Sequence, residues 1–145
     1  MGQQQLLLIV LGVIIVGIAV VVGINVFSSS STSSSRDLVV SQLTNLGAKA
    51  QQYYRKPTEL GGGGNNFQNF ALSPSDTGNQ AGSFSLATSA PSGTAAVAGS
   101  VTAIGSAATQ IWIVGCGKEQ GNDGSNPVKA FAHVTATSIS TTVLN

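Results

Sequence analysis

Charge is what this chain has least of. Of its 145 residues only 8% are charged, six Lys or Arg against five Asp or Glu, for a formal net charge of +1. That balance gives no electrostatic handle for nucleic acid or for acidic substrates, so a nucleic-acid partner is not expected. Cysteine is nearly absent. Cys116 stands alone, cannot close an intramolecular disulfide, and so withholds the covalent support usual in small secreted domains. Its expected place is that of a small buried hydrophobe beside Trp112 and Val114, with an intermolecular bond or a reactive thiol as the alternatives.

Chemistry-bearing residues are equally sparse. His133 is the one histidine, no G-x-S-x-G elbow accompanies the many serines, and the carboxylates Asp37, Glu59, Asp76, Glu119 and Asp123 are not paired for acid–base work. No N-x-S/T sequon, metal-ligand cluster, dinucleotide loop or basic stripe occurs. The loop from Gly117 to Pro127 gathers Glu119, Asn122, Asp123 and Asn126, which could surround calcium. Its spacing is not that of an EF-hand, and Asn-Asp-Gly is also a tight-turn sequence. These absences argue against an enzyme, and no catalytic residue, cofactor or metal is assigned. Aromatics make up 6% of the chain and are read as core packing.

What is present is a contrast. Leu6 to Phe27 is a 22-residue apolar run in which 17 members are Leu, Ile, Val or Phe. Only Gly12, Gly17, Ala19, Gly23 and Asn25 interrupt the large side chains. As a helix it spans roughly 33 Å, the hydrocarbon thickness of a bilayer. Its insertion is worth roughly −5 to −10 kcal/mol. No Lys or Arg precedes it, it exceeds the h-region of a signal peptide, and no A-x-A pattern follows, so it reads as a retained anchor. The remainder is polar: 31 Ser or Thr and 18 Gly, so hydroxyls rather than charges keep the surface soluble, as is more typical of exported proteins.

Ser28, Ser29, Ser30, Ser31, Thr32, Ser33, Ser34 and Ser35 follow the run directly. Eight hydroxyl residues weaken a helix without forbidding it. The tract fits a flexible spacer, a softened stretch of one long helix, or an O-glycosylated collar. Ser34 and Asp37 match a capping box, which favours a fresh helix start there. From residue 36 to 56 the positions Val39, Leu43, Leu46, Ala50 and Tyr53 keep a 4-3-4-3 spacing, one face of an amphipathic helix. Arg55 and Lys56 suit its C-terminal end and Pro57 stops it.

A glycine-rich loop, 57–82, comes next. Gly61 to Gly64 are not followed by GKS or GKT and no strand feeds them, so a connector is expected rather than a phosphate cradle. Phe67 and Phe70 should anchor its far end. From 83 to 145 the chain reads as strands: around Phe84 and Leu86, a weak one at Val97–Ile104, then Gln110–Gly115, Val128–Thr137 and Ile139–Leu144, with turns at Ser92-Gly93, Gly105-Ser106 and the Gly117–Pro127 loop. The expected fold is α+β: a long hydrophobic N-terminal helix (1–27), a Ser-rich spacer (28–35), and a head (36–145) in which a helix packs on a small antiparallel β-meander.

An apolar helix near the N-terminus, an amphipathic helix, a glycine-rich loop and a β-meander together resemble the type IV pilins. Gly2 before Gln3-Gln4-Gln5-Leu6-Leu7-Leu8-Ile9-Val10 resembles a prepilin processing site with a very short leader, making Gly2 and Gln3 the expected cleavage pair. The resemblance covers the whole chain in architecture and residues 2–27 in motif. It implies a structural subunit, held in the inner or cytoplasmic membrane, then polymerised by a pilus or secretion assembly machinery into a helical homo-oligomer on the cell surface. Leu6, Leu7, Leu11, Ile14, Ile15, Ile18 and Val22 would form the filament core, with Gly12, Gly17 and Gly23 permitting close packing or local unwinding. Bacterial pilins carry a glutamate at the fifth mature position. Counting from Gln3 that position is Leu7, so any contact to a neighbouring N-terminal amine would pass to the Gln3–Gln5 amides. A minor pseudopilin of a secretion system, or a single-span anchored extracytoplasmic binding domain, are the alternatives.

Overall fold

The computed structural model describes residues 2–145. One helix, α1 (Gly2–Arg55), runs 54 residues without a break, roughly 81 Å from end to end. The fresh start expected near Ser34 does not occur. A capping box helps only a chain that enters the helix from another conformation, and here 32 helical residues already precede Ser34. Breaking the helix would orphan four C=O groups on the stalk side and four N–H groups on the head side.

The second half of α1 lies across a four-stranded antiparallel sheet, β1 (Ser83–Ala87), β2 (Gln110–Gln120), β3 (Pro127–Thr135) and β4 (Ile139–Val143), paired in sequence order as the meander predicts. The spacing rule held for the stripe: Val39, Leu43, Leu46 and Ala50 are fully buried. They meet Phe84 of β1, Ile111 and Ile113 of β2, and Ala130, Ala132 and Val134 of β3. The alanines on β3 keep that face shallow. Phe67 and Phe70 close the far side of this core, as expected, with rings against Tyr54 (4.9 Å) and Tyr53 (5.3 Å).

Two strand expectations need correction. Val97–Ile104 is not a strand. It passes beside β1 but shares only isolated hydrogen bonds with the body, such as Ser100 N–H to the Phe84 carbonyl (3.1 Å). Its small residues bury too little surface to hold a regular ladder. The Gly117–Pro127 loop is shorter than expected, because β2 continues to Gln120, which pairs with Pro127 after a register shift beyond Cys116. Only residues 121–126 turn.

The 57–82 connector contains a 3₁₀ turn (Thr58–Leu60) and the short α2 (Pro74–Thr77). Its glycines have a defined task. Gly63 N–H donates to the Tyr53 carbonyl, Asn65 N–H to that of Tyr54 and Gly64 N–H to that of Lys56, at 2.9–3.0 Å. These are carbonyls a helix C-terminus leaves unpaired. Gly61 (φ 76°) and Gly64 (φ 57°) take the left-handed backbone this wrap requires. The loop's N–H groups therefore face the negative end of a helix, and no anion cradle forms.

Candidate functional site

From Leu6 to Phe27 every large apolar side chain is 49–77% exposed. Among the described residues, nothing covers this stalk. At 3.6 residues per turn, Leu7, Leu11, Ile14, Ile15, Ile18 and Val22 fall within about 100° on one side, whereas Leu6 lies outside that sector. The helix is long and apolar enough to cross a membrane. Gln3, Gln4 and Gln5 continue it toward the N-terminus, helical and exposed like Gly2.

Gly12, Gly17 and Gly23 do not unwind α1. A Cβ at any of them would meet open space within the chain. Three glycines inside one helix cost about 3 kcal/mol relative to alanine, and no internal contact offsets that.

Where α1 reaches the head, the hydroxyl tract divides by face. Ser28, Ser29, Ser30, Ser33 and Ser34 are exposed, Ser31 and Thr32 are half-buried, and Ser35 is buried. Thr32 Oγ1 donates to the Gln120 carbonyl (3.0 Å) at the tip of β2. Ser35 sits over Gly117, so close that a Cβ there would come within 2.6 Å of its Oγ. One side of the tract is thus the seat of the helix on the sheet, which a flexible spacer would not be. Sugar attachment is open only to the outward hydroxyls. A groove of about 370 Å³, bordered by Phe27, Ser30, Ser34, Leu38 and Lys118, marks the place where stalk and head diverge.

Sequence reasoning missed this seat. Its signal was present as Gly115-Cys116-Gly117 within an otherwise apolar strand, the pattern of close backbone approach.

The other candidates resolve into structure. His133 stacks on Trp112 (centroids 4.7 Å, 17° between planes), and its Nε2 is 3.1 Å from Gln110 Oε1. Neither partner is a nucleophile or a carboxylate. Cys116 is buried, and its Sγ accepts from the Val97 N–H (3.2 Å). Among the described residues, no three His, Cys, Asp or Glu are grouped to hold a metal.

In the 121–126 turn, Asp123 Oδ1 accepts from the Ser125 and Asn126 N–H groups and Oδ2 from Asn126 Nδ2 (2.7 Å). Asn145 seals it, accepting from Asp123 N–H and donating to the Asn126 and Pro127 carbonyls. The Asp123 carboxylate oxygens are spent on the turn itself. These hydrogen bonds, the Asn126 side chain first, hold the Asp123 carboxyl well below its ordinary 3.8. Asp76 is lowered too, chiefly by its hydrogen bonds from Lys49 (2.8 and 3.0 Å) that tie α2 to α1.

Both carboxylates are easier to protonate in the unfolded chain. The stability they contribute is therefore full above about pH 4 and is lost as pH falls through the depressed values. Melting the detergent-solubilised protein at pH 5, 3 and 2 should show a falling transition. Asp123→Ala should flatten that fall, and an unchanged pH profile in the variant would remove the turn from the account.

Comparison with protein-family models, curated proteins and solved structures finds no match to this chain.

Proposed function

We propose that this chain is the repeating subunit of a helical filament, held in a membrane by the first half of α1 and then carried into the polymer, where the same surface lines the core. The bare stalk carries this reading. Leaving 17 large apolar side chains in water would cost roughly 25–50 kcal/mol, counted at 1.5–3 kcal/mol each, several times the stability of a typical domain. Lipid removes that cost, and so do other copies of the same helix. A helix satisfies its own backbone groups in either dry setting.

Two features favour the polymer over a plain anchor. The glycines on the stalk have no role within the chain, whereas helices that pack closely without lipid between them need small residues. The head joins the stalk through one rigid helix seated on its sheet, so a repeated stalk arrangement would repeat the heads in register. Copies stacked in this way make heterologous contacts that propagate as an open helix. This is the architecture that the pilin-like sequence pattern implies.

The test is electron microscopy of filaments sheared from cells that produce the chain, beside cells lacking its gene. Filaments that disappear with the gene support a major structural subunit. Unchanged filaments, with the protein retained in the membrane fraction, would replace this reading with that of a minor or anchored component.

A further inference from the structure

The two edges of the sheet are treated differently. Along β1, the 97–104 segment shields the strand: Ser100 N–H reaches the Phe84 carbonyl and Ser83 Oγ donates to the Val97 carbonyl (2.8 Å). Along β4 nothing does. Thr135 N–H bonds the Ser138 carbonyl and Leu144 N–H the Lys129 carbonyl, which fixes the alternation of the ladder. The N–H and C=O groups of Ile139, Thr141 and Val143 consequently face away from β3, with no partner in the chain.

Folded proteins guard such an edge with charge, proline or a bulge. β4 has none of these. From Ala130 to Asn145 no acidic side chain, lysine, arginine or proline occurs. The shielding segment is itself unguarded on its outer side. Val101 is 51% exposed, the N–H groups of Val101 and Ala103 have no internal partner, and no charged residue occurs between Asp76 and Lys118.

We propose that the β4 edge docks a second copy of this chain through the free backbone groups of that copy's 97–104 segment, so that each head contacts the next. This rests on the filament reading above. Three observations select a second copy over a foreign peptide. Each chain carries one edge of each kind on opposite sides of its sheet, so every docking leaves one of each free and the contact propagates. Both surfaces lack charge, so neither repels its like nor asks for a charged partner. A five-residue strand is far smaller than the roughly 1,000 Å² a free-standing interface needs. It becomes effective only where another contact already holds the partner close, and neighbouring stalks would supply that proximity.

Cysteine pairs test it in the full chain. Residues facing across adjacent strands are close enough for a disulfide, and the native Cys116 is buried and does not compete. Val101→Cys or Ala103→Cys, each combined with Thr141→Cys or Val143→Cys, gives four double variants. After mild oxidation of sheared filaments, at least one should run as a ladder of covalent dimers, trimers and longer chains on a non-reducing gel, while each single variant stays monomeric.

A ladder limited to dimers in Thr141→Cys or Val143→Cys alone would mean β4 pairs with β4, and would overturn the head-to-tail contact. Intact filaments with no cross-link in any pair would overturn the edge contact and leave the stalk-driven polymer standing. No filaments from the unaltered chain would take down both.

Discussion

Replacing Ile15 with arginine should leave the protein in the membrane and abolish the proposed filament. Ile15 lies near the middle of the apolar run, about 14 and 18 Å from its two ends along the helix. In a bilayer, one central arginine costs roughly 2.5–3.5 kcal/mol on the insertion scale, less than the roughly 5–10 kcal/mol that favours the run as a whole. The side chain can also snorkel toward water. A filament core offers no such escape. There the guanidinium is buried among apolar helices, its desolvation cost is several kcal/mol, and the cost recurs in every subunit. Membrane fractionation with blotting should therefore find wild-type amounts of Ile15→Arg, while sheared fractions contain no filaments. Ile15→Leu, which conserves volume, should assemble. Filaments of ordinary length from the arginine variant would take the stalk out of the polymer core.

Gly115→Val should destabilise the head strongly. Gly115 lies on the inner face of β2, where Phe84 reaches across from β1 and Val39 comes down from α1. A Cβ at this position would stand 2.7 Å from Phe84 Cε1 and 2.9 Å from Val39 Cγ1. The first is the edge of a packed ring and the second a fully buried methyl on a rigid helix, so neither can retreat cheaply. Overpacking of this kind costs about 1–3 kcal/mol for a modest insertion, and valine adds a branched group. A loss near 3 kcal/mol lowers the melting temperature of a domain this size by roughly 12–24 °C. Trp112, the sole tryptophan, is half-buried on the opposite face of the same strand and reports the transition by fluorescence without the stalk's helical signal. Gly105→Ala, where a Cβ meets nothing, is the matched control. An unshifted transition for Gly115→Val would mean that α1 is not seated where Gly115 and Gly117 place it.

These two sites were not equally legible in the sequence. The stalk was, because a long uncharged apolar run has to be kept from water wherever it occurs. The stripe Val39, Leu43, Leu46 and Ala50 was legible for a related reason: side-chain spacing on a helix is set by the backbone alone. The seat at Gly115 and Gly117 was not, since glycine marks turns as readily as close approach, and only the partner element tells which. The same ambiguity shortened β2, whose Lys118, Glu119 and Gln120 look like turn residues but are carried along by pairing at Gln120. Val97–Ile104 erred in the opposite sense, since its apolar residues are too small to bind a ladder. The capping pattern at Ser34 was a real local signal outweighed by its context: a helix already formed gains nothing from starting again.

Because α1 never breaks between stalk and head, the bearing of the head around the helix axis is written in the number of residues between them. Each residue of the 28–35 tract turns the head by about 100° and displaces it by about 1.5 Å. Removing two would swing it through about 200°, so that the side now facing outward would look almost inward. Removing seven would return it to within about 20° of its present direction, some 10 Å nearer the stalk. The tract works as a dial whose setting is its length, and that length fixes the bearing of the head relative to the stalk.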